Sequence, residues 1–264
     1  MVFLPNNAHH PGIGMTPSKV ALITGSGKKR VGWHVAAALG ARGYALALHY
    51  RTSQAETEAT LAEFRARGFT AEAFRADLTQ EAEVRQLVGD TLARFGRLDA
   101  LVHTAAIWQP KPLEEVTAAD VREYLDANTL ATFLVCQQAG LAMVQQAEGG
   151  CLVTFGDWAT VRPYRNYAAY FPSKGAIPAL TRTFAVELAH RNPRVRVNCV
   201  LPGPVMLPAD LPEQERQQAI AGTLVKREGT PQHVAQAVLQ LIENDFLTGV
   251  CLPVDGGRSV YAGD

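Results

Sequence analysis

The sequence predicts an α/β protein, a single doubly wound parallel sheet with helices on both faces. Three observations lead there. Short apolar, β-branched runs recur at residues 20–24, 45–50, 100–104, 151–155, 196–201 and 252–255. Such continuously apolar runs suit strands buried on both faces, since neither side meets water. The stretches between them are amphipathic at helical spacing, as in 53–67 with Leu61 and Phe64 on one side and 81–95 with Val84, Leu87, Val88 and Leu92. Strand and helix alternate to residue 255 with no Gly/Ser-rich linker and no internal repeat. Buried strands joined by helices need right-handed crossovers, which makes the sheet parallel. Residues 19–264 are therefore expected to form one domain. Residues 1–18, rich in Pro, Asn, His and Gly, are expected to be a loosely packed or disordered extension.

The 264 residues are 47% hydrophobic and carry 25 basic against 25 acidic side chains, a net charge of zero. This is ample for a sizeable core and leaves neither the basic excess that nucleic acid demands nor a charged tail. A small-molecule substrate is the favoured partner, with no nucleic acid and no membrane. Residues 1–19 lack a charged segment followed by an apolar stretch, and no uninterrupted apolar run is long enough to span a bilayer, so the expected compartment is the cytoplasm. Cys136, Cys151, Cys199 and Cys251 are scattered without metal-ligand spacing and read as buried free thiols. His34, His190 and His233 fall on helical patterns with no partner ligands, so no metal is expected.

Function in such a sheet gathers at the carboxyl ends of the strands. The first strand runs into Thr24-Gly-Ser-Gly-Lys-Lys-Arg-Val-Gly32 and then a helix opening at Trp33. A strand, a glycine turn and a helix form a phosphate cradle, because glycine lets the backbone approach a pyrophosphate whose charge meets the positive helix end. Gly25, Lys29, Arg30 and Val31 are its candidate binding residues, although a plain βα turn uses the same residue types. The second strand ends in His49-Tyr50-Arg51-Thr52-Ser53, where an NAD-preferring protein places an acid for the ribose hydroxyls. Arg51, the hydroxyls of Thr52 and Ser53, and one of Lys28 or Lys29 suit a 2′-phosphate, with Tyr50 alongside, which predicts NADPH over NADH. The rival is a solvated loop opened by an exposed arginine.

Further along, Tyr170-Phe-Pro-Ser-Lys174 sets a phenol and an ammonium one helical turn apart. A nearby cation stabilises phenolate, so the lysine is expected to bring a phenol of ordinary pKa ~10 within range of acid–base work. The same spacing also arises by chance on helix faces. Pro178 removes the hydrogen bond to the Lys174 carbonyl, and a bend is expected there. Residues 201–208, rich in proline, and 209–218 break the alternation after a strand, where a long excursion often covers a substrate.

With the glycine turn, Asp77-Leu78, Asn128, Tyr170, Lys174, Pro202-Gly203 and Asp255-Gly256-Gly257 in order, residues 19–260 resemble the short-chain dehydrogenase/reductase family. The resemblance implies a Rossmann-like domain of about seven strands, hydride transfer from a nicotinamide, and a homotetramer, with a dimer next. It makes Tyr170 the proton donor, Lys174 the holder of the nicotinamide ribose and Asn128 the residue that positions a relay water. It also assigns Asp77 and Leu78 to the adenine, and Thr104, Ala105, Ala106, Pro202, Gly203 and Val205 to the cofactor cleft. Without the resemblance, Asn128 reads as a polar residue facing outward on a helix and Asp77 as a turn cap.

Three departures from the family pattern stand out. Arg30 takes the place of the middle glycine, with an inserted residue nearby; His103-Thr104-Ala105-Ala106 replaces Asn-Asn-Ala-Gly; and Asp157 replaces the catalytic serine, thirteen residues before Tyr170. An arginine in the turn, His-Tyr after the second strand and aspartate at the serine position occur together in pteridine reductases and dihydromonapterin reductases, the branch this chain most resembles. That branch implies that Arg30 contacts the pyrophosphate and reaches the substrate, that Asp157 and Tyr170 share substrate hydrogen bonds and proton delivery, and that Trp108 stacks on a flat ring. A carboxylate beside Tyr170 disfavours its phenolate, so Asp157 is expected either to be protonated in the complex or to bind an amino-substituted ring. Its structural alternative is a solvent-facing turn cap before Trp158.

Two rival functions remain open. One is a 3-oxoacyl-carrier-protein reductase, with Arg162, Arg165 and Arg216 available to an acidic partner; the other is a non-catalytic NADP-binding sensor. The outer faces of 118–147 and 167–191 are expected to build subunit contacts.

Overall fold

The computed structural model describes residues 18–260, so the extension expected at 1–18 lies, except for its last residue, outside the described residues. Seven strands form one sheet: β1 (Val20–Thr24), β2 (Ala45–Tyr50), β3 (Ala71–Arg75), β4 (Ala100–His103), β5 (Gly150–Phe155), β6 (Val195–Pro202) and β7 (Cys251–Val254). Their order is β3-β2-β1-β4-β5-β6-β7, with every pairing parallel. The order reverses between β1 and β4, and that crevice is where an open parallel sheet binds its ligand.

Eight α-helices connect the strands: α1 (Val31–Gly40), α2 (Gln54–Ala66), α3 (Glu81–Phe95), α4 (Ala118–Tyr124), α5 (Ala131–Val144), α6 (Tyr170–Ala189), α7 (Glu213–Ala221) and α8 (Pro231–Glu243). On one face Trp33, Leu39, Phe64, Val234 and Val238 close over the sheet. Val84, Leu87, Val135, Met143 and Leu188 close over the other. Each of these two apolar layers removes hydrocarbon from water at about 25 cal/mol per Å².

The expected helix at 53–67 starts one residue later, with Ser53 at its N-cap, and 81–95 is helical throughout. The amphipathic stretch from 118 is not one uniform helix. A π-helical turn, Leu125–Leu130, separates α4 from α5. Ala118–Val144 as a whole is long and apolar enough to cross a membrane by length and composition alone, yet half of its apolar window is buried inside the fold, which is how a core helix looks. Helix α6 is continuous through Pro178. Cys136, Cys151 and Cys199 are buried free thiols as expected, whereas Cys251 is only half-buried.

The amino ends of β1 and β4 are tied by one carboxylate. Asp99 Oδ2 accepts from the Val20 amide and from Arg97 Nε, each at 2.8 Å. Asp99 is buried while Arg97 keeps partial access to water. Asp99→Ala strips a buried acceptor from both donors and should cost about 2–3 kcal/mol, below the usual range for a fully buried pair because Arg97 can rehydrate. Urea unfolding checks this, and a loss near zero would show that the tie is idle.

Candidate active site

The phosphate cradle is set by backbone. Gly25, after β1, sits at φ +67°, and a Cβ there would stand 3.0 Å from Ala105 Cα. A Cβ on Gly32 would stand 2.5 Å from the Thr104 hydroxyl, so both positions must stay bare to hold this turn against the segment after β4. Thr104 donates to the Thr24 carbonyl at 2.6 Å, and the Ala105 amide donates to Thr24 Oγ1 at 3.2 Å. No side chain caps the first turn of α1 at Arg30, which leaves its positive end for an anion. A cradle that any side chain would fill, closed by an uncapped helix terminus, fits the pyrophosphate of a dinucleotide.

His49 latches this turn in place. Its Nδ1 accepts from the Gly25 amide at 3.2 Å and its Nε2 donates to the Ala76 carbonyl at 3.0 Å, while burial pushes its pKa down to about 4. The imidazole is thus neutral with the proton on Nε2. His103, the departure after β4, is also neutral, pushed down to about 3 by burial and by Lys174; its Nδ1 bonds Thr24 Oγ1 at 2.9 Å.

The candidates around β2 separate into two groups. Lys28 pairs with Glu56 at 3.3 Å and Lys29 with Glu63 at 2.7 Å, so both lysines are held along α2. Arg51 remains half-exposed, 4.0 Å from Asp77, with Thr52 exposed and Tyr50 and Ser53 half-buried beside it. Asp77 realises its turn-cap alternative, accepting from the Thr79 amide at 3.0 Å and the Thr79 hydroxyl at 2.8 Å, and Leu78 is buried. Arg51, Thr79, Ile107, Arg122 and Asp126 line a hollow of about 430 Å³. Arg122 gave no sequence signal, since it looks like any surface residue of an amphipathic helix. Arg30 stands exposed at the start of α1.

At the ends of β5 and α6 the expected trio converges. Tyr170, the first residue of α6, donates its phenolic proton to Asp157 Oδ2 at 2.8 Å. The other Asp157 oxygen accepts from the Ala159 amide at 2.7 Å, capping the short turn Trp158–Thr160. Capping and contact with Tyr170, set against each other as alternatives by the sequence, are both realised by one carboxylate. Lys174 lies one turn along, 5% exposed, with its ammonium donating to the Phe155 carbonyl at 2.8 Å.

The electrostatics reverse one expectation. Burial, and after it the Asp157 charge and hydrogen bond, push the Tyr170 phenol far above its ordinary range. Lys174 does not lower it here, because its ammonium is turned to Phe155 and the charge in direct contact with the phenol is negative. Burial also raises the Asp157 carboxyl, and pushes Lys174 down to about 8. The trio thus favours a protonated phenol beside a carboxyl that ionises reluctantly.

Asn128 is fully buried inside the π-helical turn and does not face outward. Its Oδ1 accepts from the Ile107 amide at 2.9 Å, and its Nδ2 donates to the Ile107 carbonyl at 3.2 Å and to Ser173 Oγ at 3.0 Å. It ties the segment after β4 to α6, and its own carbonyl accepts from Thr132 at 2.5 Å. Across the cleft, Trp108 stacks on Tyr167 with centroids 5.2 Å apart and planes 16° from parallel, so one of its faces is covered by this chain. Tyr164 meets Tyr167 and Phe171 edge-on and stacks against Trp158. Of this aromatic wall the sequence had singled out only Trp108 and Tyr170.

Beyond β6, the Gly203 amide donates to the Val254 carbonyl at 2.9 Å, Pro202 is half-buried and Val205 is buried. The excursion that follows carries α7 and is held by Glu228, which accepts from the Leu207 amide at 3.0 Å and from Arg216 at 2.7 Å.

A family model described as enoyl-(acyl carrier protein) reductase matches residues 26–259. An uncharacterized oxidoreductase of Methylorubrum extorquens is 33% identical over 246 residues, covering 90% of this chain and 97% of that one. A hydroxynaphthalene reductase-like protein of Metarhizium brunneum is 35% identical over 188 residues, 71% of this chain and 68% of that one. The crystal structure of a blue fluorescent protein from a metagenomic library, in complex with NADPH, superposes with a TM-score of 0.82 at 30% identity, covering 91% of this chain and 97% of that one. The chain belongs to the short-chain dehydrogenase/reductase family and is an oxidoreductase of that family, whose members use NAD(P)(H).

Tyr170→Phe removes the proton and leaves the ring, so turnover should fall by about 10²–10⁴-fold with dinucleotide affinity little changed. A loss below tenfold would reassign the proton donor. Because Lys174 releases its proton near 8 in the folded protein and near 10.5 when unfolded, the unfolded chain binds more protons between those values. The cofactor-free protein should therefore gain stability from this group as pH rises through that window. Denaturant unfolding of wild type and Lys174→Met should differ in slope there, and parallel curves would contradict the buried ammonium.

Proposed function

We propose that this protein is an NADPH-dependent reductase of a carbonyl or imine in a small, flat, pterin-like substrate. The observation that carries this reading is the 2.8 Å hydrogen bond from Tyr170 to Asp157 Oδ2 beside an aromatic wall. NADPH, when bound, supplies the hydride. Tyr170 holds the matching proton, and Asp157 keeps it on the phenol until a substrate atom takes it. A carboxyl at this point can also accept from the adjacent N–H groups of an amino-substituted ring, which a serine hydroxyl serves less well. Lys174 and the Gly25 turn would hold the ribose and pyrophosphate, with Arg30 at the mouth, and Arg51 would meet a 2′-phosphate. Trp108, half-buried and stacked on Tyr167 through one face, would stack on the substrate ring through the other. The hydroxynaphthalene reductase-like relative, by its name, is consistent with flat ring substrates.

A carrier-protein reductase is the second reading, prompted by the description of the matching family model. Arg216 is committed to Glu228, which weakens the basic surface that such a partner needs. A non-catalytic sensor would not need to keep Tyr170, Lys174 and Asn128 packed together. A homotetramer, with a dimer as the next choice, is supported by part-exposed Leu125 and Leu130 in the π-helical turn and Phe133 and Leu141 on α5. Free thiols without a disulfide among the described residues suit a cytoplasmic setting.

Loss of NADPH absorbance with dihydropterin, dihydrofolate and short 3-oxoacyl thioester substrates separates these readings. Turnover of the ring substrates, with thioesters inert, is the expected result; the reverse order would favour the carrier-protein reading, and tight NADPH binding with no turnover the sensor. Arg51→Ala should weaken NADPH by about tenfold while sparing NADH, the size of a lost charge-assisted contact. Equal loss for both cofactors would remove Arg51 from the 2′-phosphate site.

A further inference from the structure

Beside the Tyr170–Asp157 pair lies a second hollow, of about 290 Å³, between the turn that Asp157 caps and helix α7. Trp158, Arg162, Tyr164, Gln218, Gly222 and Arg258 line it. Its floor is aromatic, with the Trp158 and Tyr164 rings stacked at 6.4 Å and 27°. Over the Trp158 ring, 4.8 Å from its centroid, stands the Arg258 guanidinium.

Among the described residues, no carboxylate is within ion-pair distance of the Arg258 guanidinium. Its hydrogen bonds run within backbone: it donates to the Ala219 carbonyl, and its own carbonyl accepts from Arg162 Nη1 at 2.8 Å. No ion pair joins Arg258 to an acid among the described residues. The neighbouring acid, Asp255, commits one oxygen to the Gly257 amide at 2.9 Å and the other to the Ser259 amide at 2.6 Å. A half-buried guanidinium fixed over an indole, unmatched by a carboxylate, is an anion receptor with an apolar floor. Burial accordingly lowers the Arg258 pKa, as expected for a cation short of compensation.

The hollow neighbours the reaction centre through its aromatic lining. Trp158 follows Asp157 directly, and Tyr164 meets Tyr167, which in turn stacks on Trp108. A ring held at Tyr170 and Asp157 would send a substituent along this wall toward Arg258. We propose that this hollow is a specificity subsite for an anionic substituent, a carboxylate or a phosphate ester, carried by the substrate on an aromatic or similarly flat stem. The placement on the substrate rests on the reductase reading above; the binding chemistry does not.

Calorimetric titration of the full-length NADPH-saturated protein tests this, with 4-aminobenzoyl-glutamate, its neutral diamide and phenyl phosphate as probes. At least one anion should bind about tenfold more tightly than the diamide, the scale of a charge-assisted bond, and the tighter anion names the source. Arg258→Gln should remove that preference, and Arg258→Lys, which keeps the charge but loses the planar fork, should restore only part of it for the carboxylate. Thermal unfolding shows whether each variant is folded, and the acid-versus-diamide comparison on wild type decides the matter if a variant is not. Neither anion binding more tightly than the diamide, no binding of either anion, or an unchanged preference in folded Arg258→Gln would overturn the subsite. Failure of the reductase reading appears separately, as absent NADPH turnover across the ring panel with these affinities intact.

Discussion

The site depends on one constraint, a carboxylate buried against a phenol. Asp157 cannot shed its charge into water, and Tyr170 cannot release its proton without placing two negative charges side by side in a poorly solvated cleft. The hydrogen bond between them relieves both problems while the phenol stays protonated. Everything nearby supports that arrangement. The Ala159 amide steadies the second carboxylate oxygen, Asn128 anchors α6 through Ser173, and the edge-on rings of Tyr124 and Tyr167 exclude water from the phenol.

This changes what Lys174 does. In the common logic of a Tyr-x-x-x-Lys pair, the ammonium lowers the phenol and makes it an easy donor. Here its ammonium donates to the Phe155 carbonyl, and burial disfavours its charged form. Its chemical contribution is then positional, a cation stored at the carboxyl end of β5. The proton economy at the phenol passes to Asp157.

Much of the fold was legible because it follows from burial alone. Runs such as 20–24 and 151–155 have no polar face, so only an interior parallel strand accommodates them, and the helices between were visible from one apolar stripe each. The interruption of the long helix at Leu125–Leu130 was not legible. It accompanies Asn128 bonding across to Ile107 and Ser173, residues distant in sequence whose partnership no local pattern reveals. Tyr170, Lys174 and Asp157 could be assembled because their spacing is short and their chemistry specific. The aromatic wall could not, since Trp108 follows β4 while Trp158, Tyr164 and Tyr167 lie in the irregular connection between β5 and α6, where no periodicity says which rings meet. The direction of the Lys174 ammonium also depends on the Phe155 carbonyl, a backbone group that sequence does not place.

The most direct measurement is the titration of Tyr170 by carbon-13 NMR of tyrosine labelled at Cζ, in cofactor-free wild type and in Asp157→Ser. The wild-type phenol should stay protonated well beyond the ordinary tyrosine range near pH ~10, and the substitution should bring its ionisation down. A wild-type Tyr170 that ionises at or below that range, unmoved by Asp157→Ser, would contradict this.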